Sequence, residues 1–170
     1  MHPLLRAAGD LLSVGVPRVD GHLHTRWTDG ESSVEEMHRA GEDAGLVGIL
    51  FSEHARHTSG DWFPAFAAEV RALHVVNCQA YVGVEVKIRD FDGSLDISES
   101  IAGTSDLIMA SVHRFPGEEG IATGTAAYSA NDAVDLEWRL ASAALDNPDV
   151  DILGHPFGMC YRRFKIHPPE

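Results

Sequence analysis

The chain reads as an α/β domain built on a parallel sheet, and three observations predict it. Short apolar runs alternate with stretches of helical periodicity, and one of them, residues 47–52, is apolar almost throughout, as in strands buried on both faces. Strands that alternate with helices pair in parallel through right-handed crossovers. The apolar runs also end in or lead to a histidine or a glutamate, at the carboxyl ends where a curled sheet builds its site. The expected class is a parallel α/β sheet curling toward a TIM-like barrel.

Residues 1–17 form a leader, helical over 4–12 and ended near Gly15 and Pro17. The domain proper spans 18–157. Its first strand, 18–24, carries His22 and His24, and Thr28-Asp29-Gly30 makes a turn. Ser32 and Ser33, with Glu35 and Glu36 three residues on, offer two capping boxes for a helix through about Ala44, which Gly45 stops. The second strand, 47–52, leads into Glu53 and His54. Residues 61–77 show helical spacing (Phe63, Phe66, Val70), and Pro64 suits the first turn. The third strand, 80–86, contains Glu85; a turn at 90–93 and at most a short helix at 97–103 follow. The fourth strand, 106–111, delivers His113. After an irregular loop at 115–124 come a helix at 133–145 and a fifth strand at 150–153 that delivers His155. Residues 158–170 read as a basic, proline-ended tail.

At 170 residues and 44% apolar content the chain can bury one real core. No apolar run reaches membrane-spanning length, and the N-terminus lacks the basic-then-apolar order of a secretory signal, so no membrane partner and a cytoplasmic location are expected. Cys78 and Cys160 are too few for a disulfide framework. A net charge of -13 argues against holding long nucleic acid by phosphate contacts, although bound divalent ions would offset part of it locally.

On a strand, alternate side chains share a face, so His22 and His24 point to the same side. With His54, Glu85, His113 and His155, and with Asp29 on the first loop, they form a set of ligands suited to zinc, manganese or iron. Taken singly, each has a plain alternative: an edge-strand charge, a helix cap, a turn residue. Five successive strands ending this way are not explained by packing, because burying that many unpaired imidazoles and a carboxylate costs several kcal/mol. Arg26, Arg56 and Arg114 follow ligands closely and would suit an anionic substrate such as a phosphate. Ser52 and Ser111 sit in no glycine-flanked nucleophile elbow. His38 and His74 read as surface or core-rim residues, His2 and His167 as terminal ones, and His57 as a residue near the mouth.

These motifs resemble the PHP (polymerase and histidinol phosphatase) superfamily of metal-dependent phosphoesterases. The matching segments are Asp20-Gly-His22-Leu-His24-Thr25 with Asp29-Gly30, Ser52-Glu-His54, Gly83-Val-Glu85, Ser111-Val-His113 and Gly154-His155-Pro156, in family order. The resemblance implies a distorted (β/α)7 barrel of which this chain lacks the last one or two βα units. It implies two or three divalent ions: His22, His24 and Glu85 around one, Glu85 bridging to a second held by His113 and His155, and Asp29 and His54 facing a third. The implied reaction is hydrolysis of a small phosphate ester by metal-activated water. His54 is expected to pass a proton to the leaving group, and Asp20 to orient an imidazole from behind. The family's last motif, Asp-x-His, has no counterpart after His155. The expected open strand edge invites a second copy or a partner chain, and a non-catalytic binding module is the alternative from another class. An amidohydrolase also opens with His-x-His, but it commonly places a modified lysine at the end of the fourth strand, where this chain has His113.

Overall fold

The computed structural model describes residues 2–116 and 128–166. Five parallel strands form one sheet in the order β1 (Val19–Leu23), β2 (Gly48–His54), β3 (Gln79–Lys87), β4 (Leu107–Ser111) and β5 (Ile152–Leu153). Sequential order in an all-parallel sheet is what successive βα units produce when each crossover turns the same way. The sheet is also curled. Four strand spacings of about 4.8 Å would put β1 and β5 some 19 Å apart in a flat sheet. Yet the His22 and His155 rings, from the ends of β1 and β5, stack with centroids 5.7 Å apart. The described residues therefore make a five-stranded partial barrel, and the seven-strand count implied by resemblance is not reached within them.

The helices form where local signals ask for them. Ser33 caps α2 (Val34–Asp43) in a reciprocal capping box with Glu36, so the second of the two expected boxes is the one used. Ser129 does the same with Asp132 for α5 (Ala130–Leu145), three residues earlier than the apolar spacing alone indicated. A 3-10 turn, Ser59–Asp61, precedes α3 (Phe63–Arg71), and α4 (Glu99–Thr104) is short as expected. α3 stops at Arg71, so Leu73 and His74 lie beyond it, and His74 is exposed.

Two apolar clusters pack the outside of the sheet. Ile49, Phe51, Val82 and Val84 meet Phe63, Phe66 and Val70 of α3; Ala110 and Val112 meet Ala133, Leu140 and Ala144 of α5. At the opposite end from the strand tips, Leu4 lies over Gly48 and the His2 ring meets Tyr81 edge-on at 4.6 Å. The expected helix at 4–12 is thus displaced: residues 2–5 make a turn in which the Leu5 amide donates to the His2 carbonyl at 2.9 Å, and α1 runs Ala8–Val14.

Two further expectations are corrected. Residues 158–164 of the basic, proline-ended tail form a helix that the sequence reading did not include, α6 (Gly158–Phe164), whose Met159 and Cys160 are buried against α5. The buried Glu137 carboxylate accepts from the Met159 and Cys160 amides at 3.1 and 2.8 Å, supplying the acceptor that orphan N–H groups of a helix start require. His38, expected at the surface or the core rim, lies in the core: its Nε2–H donates to the Cys78 carbonyl at 2.7 Å. Most of the expected loop at 115–124 lies outside the described residues, as does His167. No helix among the described residues is long and apolar enough to cross a membrane.

Candidate metal centre

Parallel pairing puts every strand's carboxyl end at one mouth, and Glu85 sits at the middle of it. Register aligns Glu85 with His54 on β2 and with Met109 on β4, two residues before Ser111. The glutamate side chain is fully buried. Five imidazoles surround it. Its Oε1 accepts from His155 Nε2 at 2.7 Å, His113 Nε2 at 3.2 Å and the Ser111 hydroxyl at 2.6 Å. Its Oε2 has His54 Nδ1 at 3.0 Å, His22 Nε2 at 3.3 Å and His24 Nε2 at 3.4 Å. The His22 and His24 Nε2 atoms themselves converge at 3.1 Å.

Despite three nitrogens so close, Glu85 Oε2 is buried without a hydrogen bond of good geometry among the described residues, and so is His24 Nδ1. Such orphaned atoms each cost about 1–3 kcal/mol when nothing compensates. Nitrogens and a carboxylate oxygen that crowd together without sharing protons are what a cation between them would satisfy. Two groups have ligand atoms within 4.8 Å of one another: His22, Glu85 and His155, and His24, His54 and Glu85. The residues fit divalent ions, with Glu85 common to both groups. His22 Nε2, His24 Nε2 and Glu85 Oε2, the trio that resemblance implied, also lie within 3.4 Å of one another.

Comparison with known proteins agrees with this chemistry. The DNA polymerase/3'-5' exonuclease PolX of Bacillus subtilis is 27% identical over 157 residues, covering 88% of this chain and 25% of its own length. A probable phosphatase of Clostridium novyi is 37% identical over 147 residues, covering 84% of this chain and 55% of the relative. A probable phosphatase of a Thermoanaerobacter species is 27% identical over 146 residues with the same coverages, 84% and 55%. These relatives support the resemblance to the PHP superfamily that the motifs carry. The chain spans about half the length of the probable phosphatases and a quarter of the polymerase. No family model matches it.

Within this centre, charge is unevenly shared. Burial pushes the Glu85 carboxyl up, but the imidazoles of His113, His155, His22 and His54 outweigh that and hold it below the ordinary carboxylate range. The same contacts raise His155 and His54 above the usual imidazole value, with Glu85 as the main cause. His24 moves the other way, lowered first by burial and then by its neighbour His54, whose ring stacks on it at 4.3 Å.

The remaining expected residues take distinct places. Asp29 lies at the same mouth, 3.5 Å from His54 Nε2 and 3.9 Å from His24 Nδ1. His54 therefore faces a carboxylate with each ring nitrogen, which suits a ligand. Asp20 accepts from the His22 backbone N–H at 3.1 Å, at the point where the β1 register shifts, so it shapes the main chain rather than a ring. Arg26 is tied to Glu36 at 3.2 Å and to the Glu31 carbonyl at 2.7 Å. Arg56, two residues past His54, is exposed, and Arg114, next after His113, is half-buried.

Glu53 is the residue sequence reasoning passed over. Fully buried beside His54, its Oε1 accepts from the Thr25 amide at 2.7 Å and hydroxyl at 2.6 Å, while its Oε2 accepts from the Thr28 hydroxyl. Burial raises its carboxyl, with the Thr25 and Thr28 donors opposing. It fastens the loop that carries Asp29. Gly30 closes that loop: a Cβ there would fall 2.7 Å from Thr25 Cα. A charged residue at the end of an otherwise apolar strand is the signal that could have found Glu53.

Proposed function

We propose that this chain carries the hydrolytic centre of a PHP-type phosphoesterase acting on a small phosphorylated substrate. The observation that supports it most is the buried Glu85 carboxylate, ringed by five imidazoles with Oε2 left unsatisfied. His22, Glu85 and His155 would hold one divalent ion and His24, His54 and Glu85 another, with His113 and Asp29 at hand for completing either shell. Such ions, when bound, lower the pKa of water toward neutrality and neutralise charge on a phosphoryl group. The names of the relatives, probable phosphatase and exonuclease, are of the same reaction class.

The chain's own residues do the rest. Ser111 donates to Glu85 Oε1 and fixes the carboxylate plane. Glu53 and Gly30 hold the loop that brings Asp29 over His24 and His54. Arg56 and Arg114 follow His54 and His113 by two residues and one, and a guanidinium so placed can pair with phosphate oxygens in bidentate fashion. The overall acidity of the chain, -13, favours a small ester over a polyanion.

The test is turnover of p-nitrophenyl phosphate by protein loaded with manganese or zinc, against chelated protein and against His113→Ala. Activity that needs metal and falls at least 100-fold in a folded His113→Ala variant is the expected result. Activity that survives both treatments would sink the reading.

A further inference from the structure

A second histidine–carboxylate pair stands just outside the ligand ring. His57 Nδ1 lies 2.5 Å from Asp96 Oδ1, and the His57 amide approaches the same oxygen at 3.4 Å. The Asp96 side chain is only 13% exposed, whereas that of His57 is 63% exposed, so a nearly buried carboxylate holds one ring nitrogen while the imidazole stands open to solvent. Both partners are pinned to β3 beside the centre. The Ala55 amide donates to the Glu85 carbonyl at 3.2 Å, two residues before His57, and the Asp96 amide donates to the Lys87 carbonyl at 2.9 Å, two residues past Glu85. His57 itself is three residues beyond His54, at most about 11 Å along the chain.

We infer that His57, oriented by Asp96, is the proton donor to the leaving-group oxygen. The inference rests on the phosphoesterase reading above. His54 has a carboxylate 3.0 Å from Nδ1 and another 3.5 Å from Nε2, whereas His57 has one nearly buried carboxylate on Nδ1 and an exposed ring, the arrangement of an oriented proton donor. In the step, the bond from phosphorus to the leaving oxygen breaks with its electron pair on that oxygen, which takes the Nε2 proton of the imidazolium. A water oxygen forms the new bond to phosphorus and releases its proton to solvent. His57 regains a proton from solvent, and Asp96 keeps the Nδ1–H oriented without changing charge.

The experiment compares two esters on metal-loaded protein: p-nitrophenyl phosphate, whose leaving group departs readily as an anion, and glycerol 2-phosphate, whose alkoxide needs a proton. For His57→Ala, kcat on the glycerol ester is expected to fall about 100-fold or more, against a several-fold loss on the nitrophenyl ester, with bound metal unchanged. Asp96→Asn is expected to show the same pattern more weakly and to remove the downfield Nδ1–H proton resonance of His57. Equal losses on both esters, or metal lost with either variant, would overturn the assignment while leaving the metal-centre reading intact. Wild-type protein inert toward both esters would overturn both.

Discussion

Replacing Glu85 with glutamine keeps the side chain's shape and an acceptor for Ser111, but removes the one charge shared by both ligand groups. Zinc held by four protein ligands is bound with about 10–16 kcal/mol, or about 3 kcal/mol per ligand. At 1.4 kcal/mol per factor of ten, loss of one ligand weakens each ion about 100-fold. Glu85 belongs to both groups, so both ions are affected together; His155→Ala removes a ligand from the first group only. The assay is competition with a calibrated chelator, with circular dichroism to establish that each variant folds. The expected outcome is two weakened sites in Glu85→Gln and one in His155→Ala. A folded Glu85→Gln protein that keeps one site at wild-type affinity would refute the shared-ligand argument.

Glu53→Ala strips the Thr25 amide of its acceptor at a fully buried position and should cost about 1–3 kcal/mol, read as a Tm lowered by roughly 3–10 °C. It should also weaken the group containing His24 and His54 more than the other. Gly30→Ala drives a methyl against the Thr25 main chain, which cannot yield as a side chain does, so a loss of about 1–3 kcal/mol in urea denaturation is expected. The metal-free protein should lose stability as pH rises from 6 to 8. His54 and His155 have folded-state values above 6.5, so their contribution is complete below that pH and disappears as pH rises through the raised values; His24, which is lowered, offsets part of this. Metal affinity should run the opposite way and rise over the same interval, because bound ions must displace those protons. Parallel trends in the two measurements would contradict the assignment.

How much of this was legible in the sequence follows from what each signal depends on. Apolar runs bounded by turn residues located β2, β3 and β4, because strands buried on both faces of a parallel sheet carry that in their composition; β1 and β5 are only partly buried, and the alternation of strand and helix placed them. Parallel pairing then fixed which ends share a mouth, so His22, His24, His54, Glu85, His113 and His155 could be grouped before any coordinates. The approach of His22 to His155 within that set was not legible. It depends on the curl of the sheet, which brings His155 of the last strand beside His22 of the first. Helix α6 was missed because its start relies on Glu137, a carboxylate reached across 22 and 23 residues of sequence. His38 and Glu53 are polar residues buried through tertiary partners, and local pattern contains nothing about a partner 40 or 28 residues away.

The central claim is that Glu85 is shared by two ions, and anomalous diffraction from crystals of metal-loaded protein tests it most directly. Two peaks are predicted, one bounded by His22, Glu85 and His155 and the other by His24, His54 and Glu85. A single peak away from Glu85, or none with the imidazoles hydrogen-bonded to one another, would contradict it.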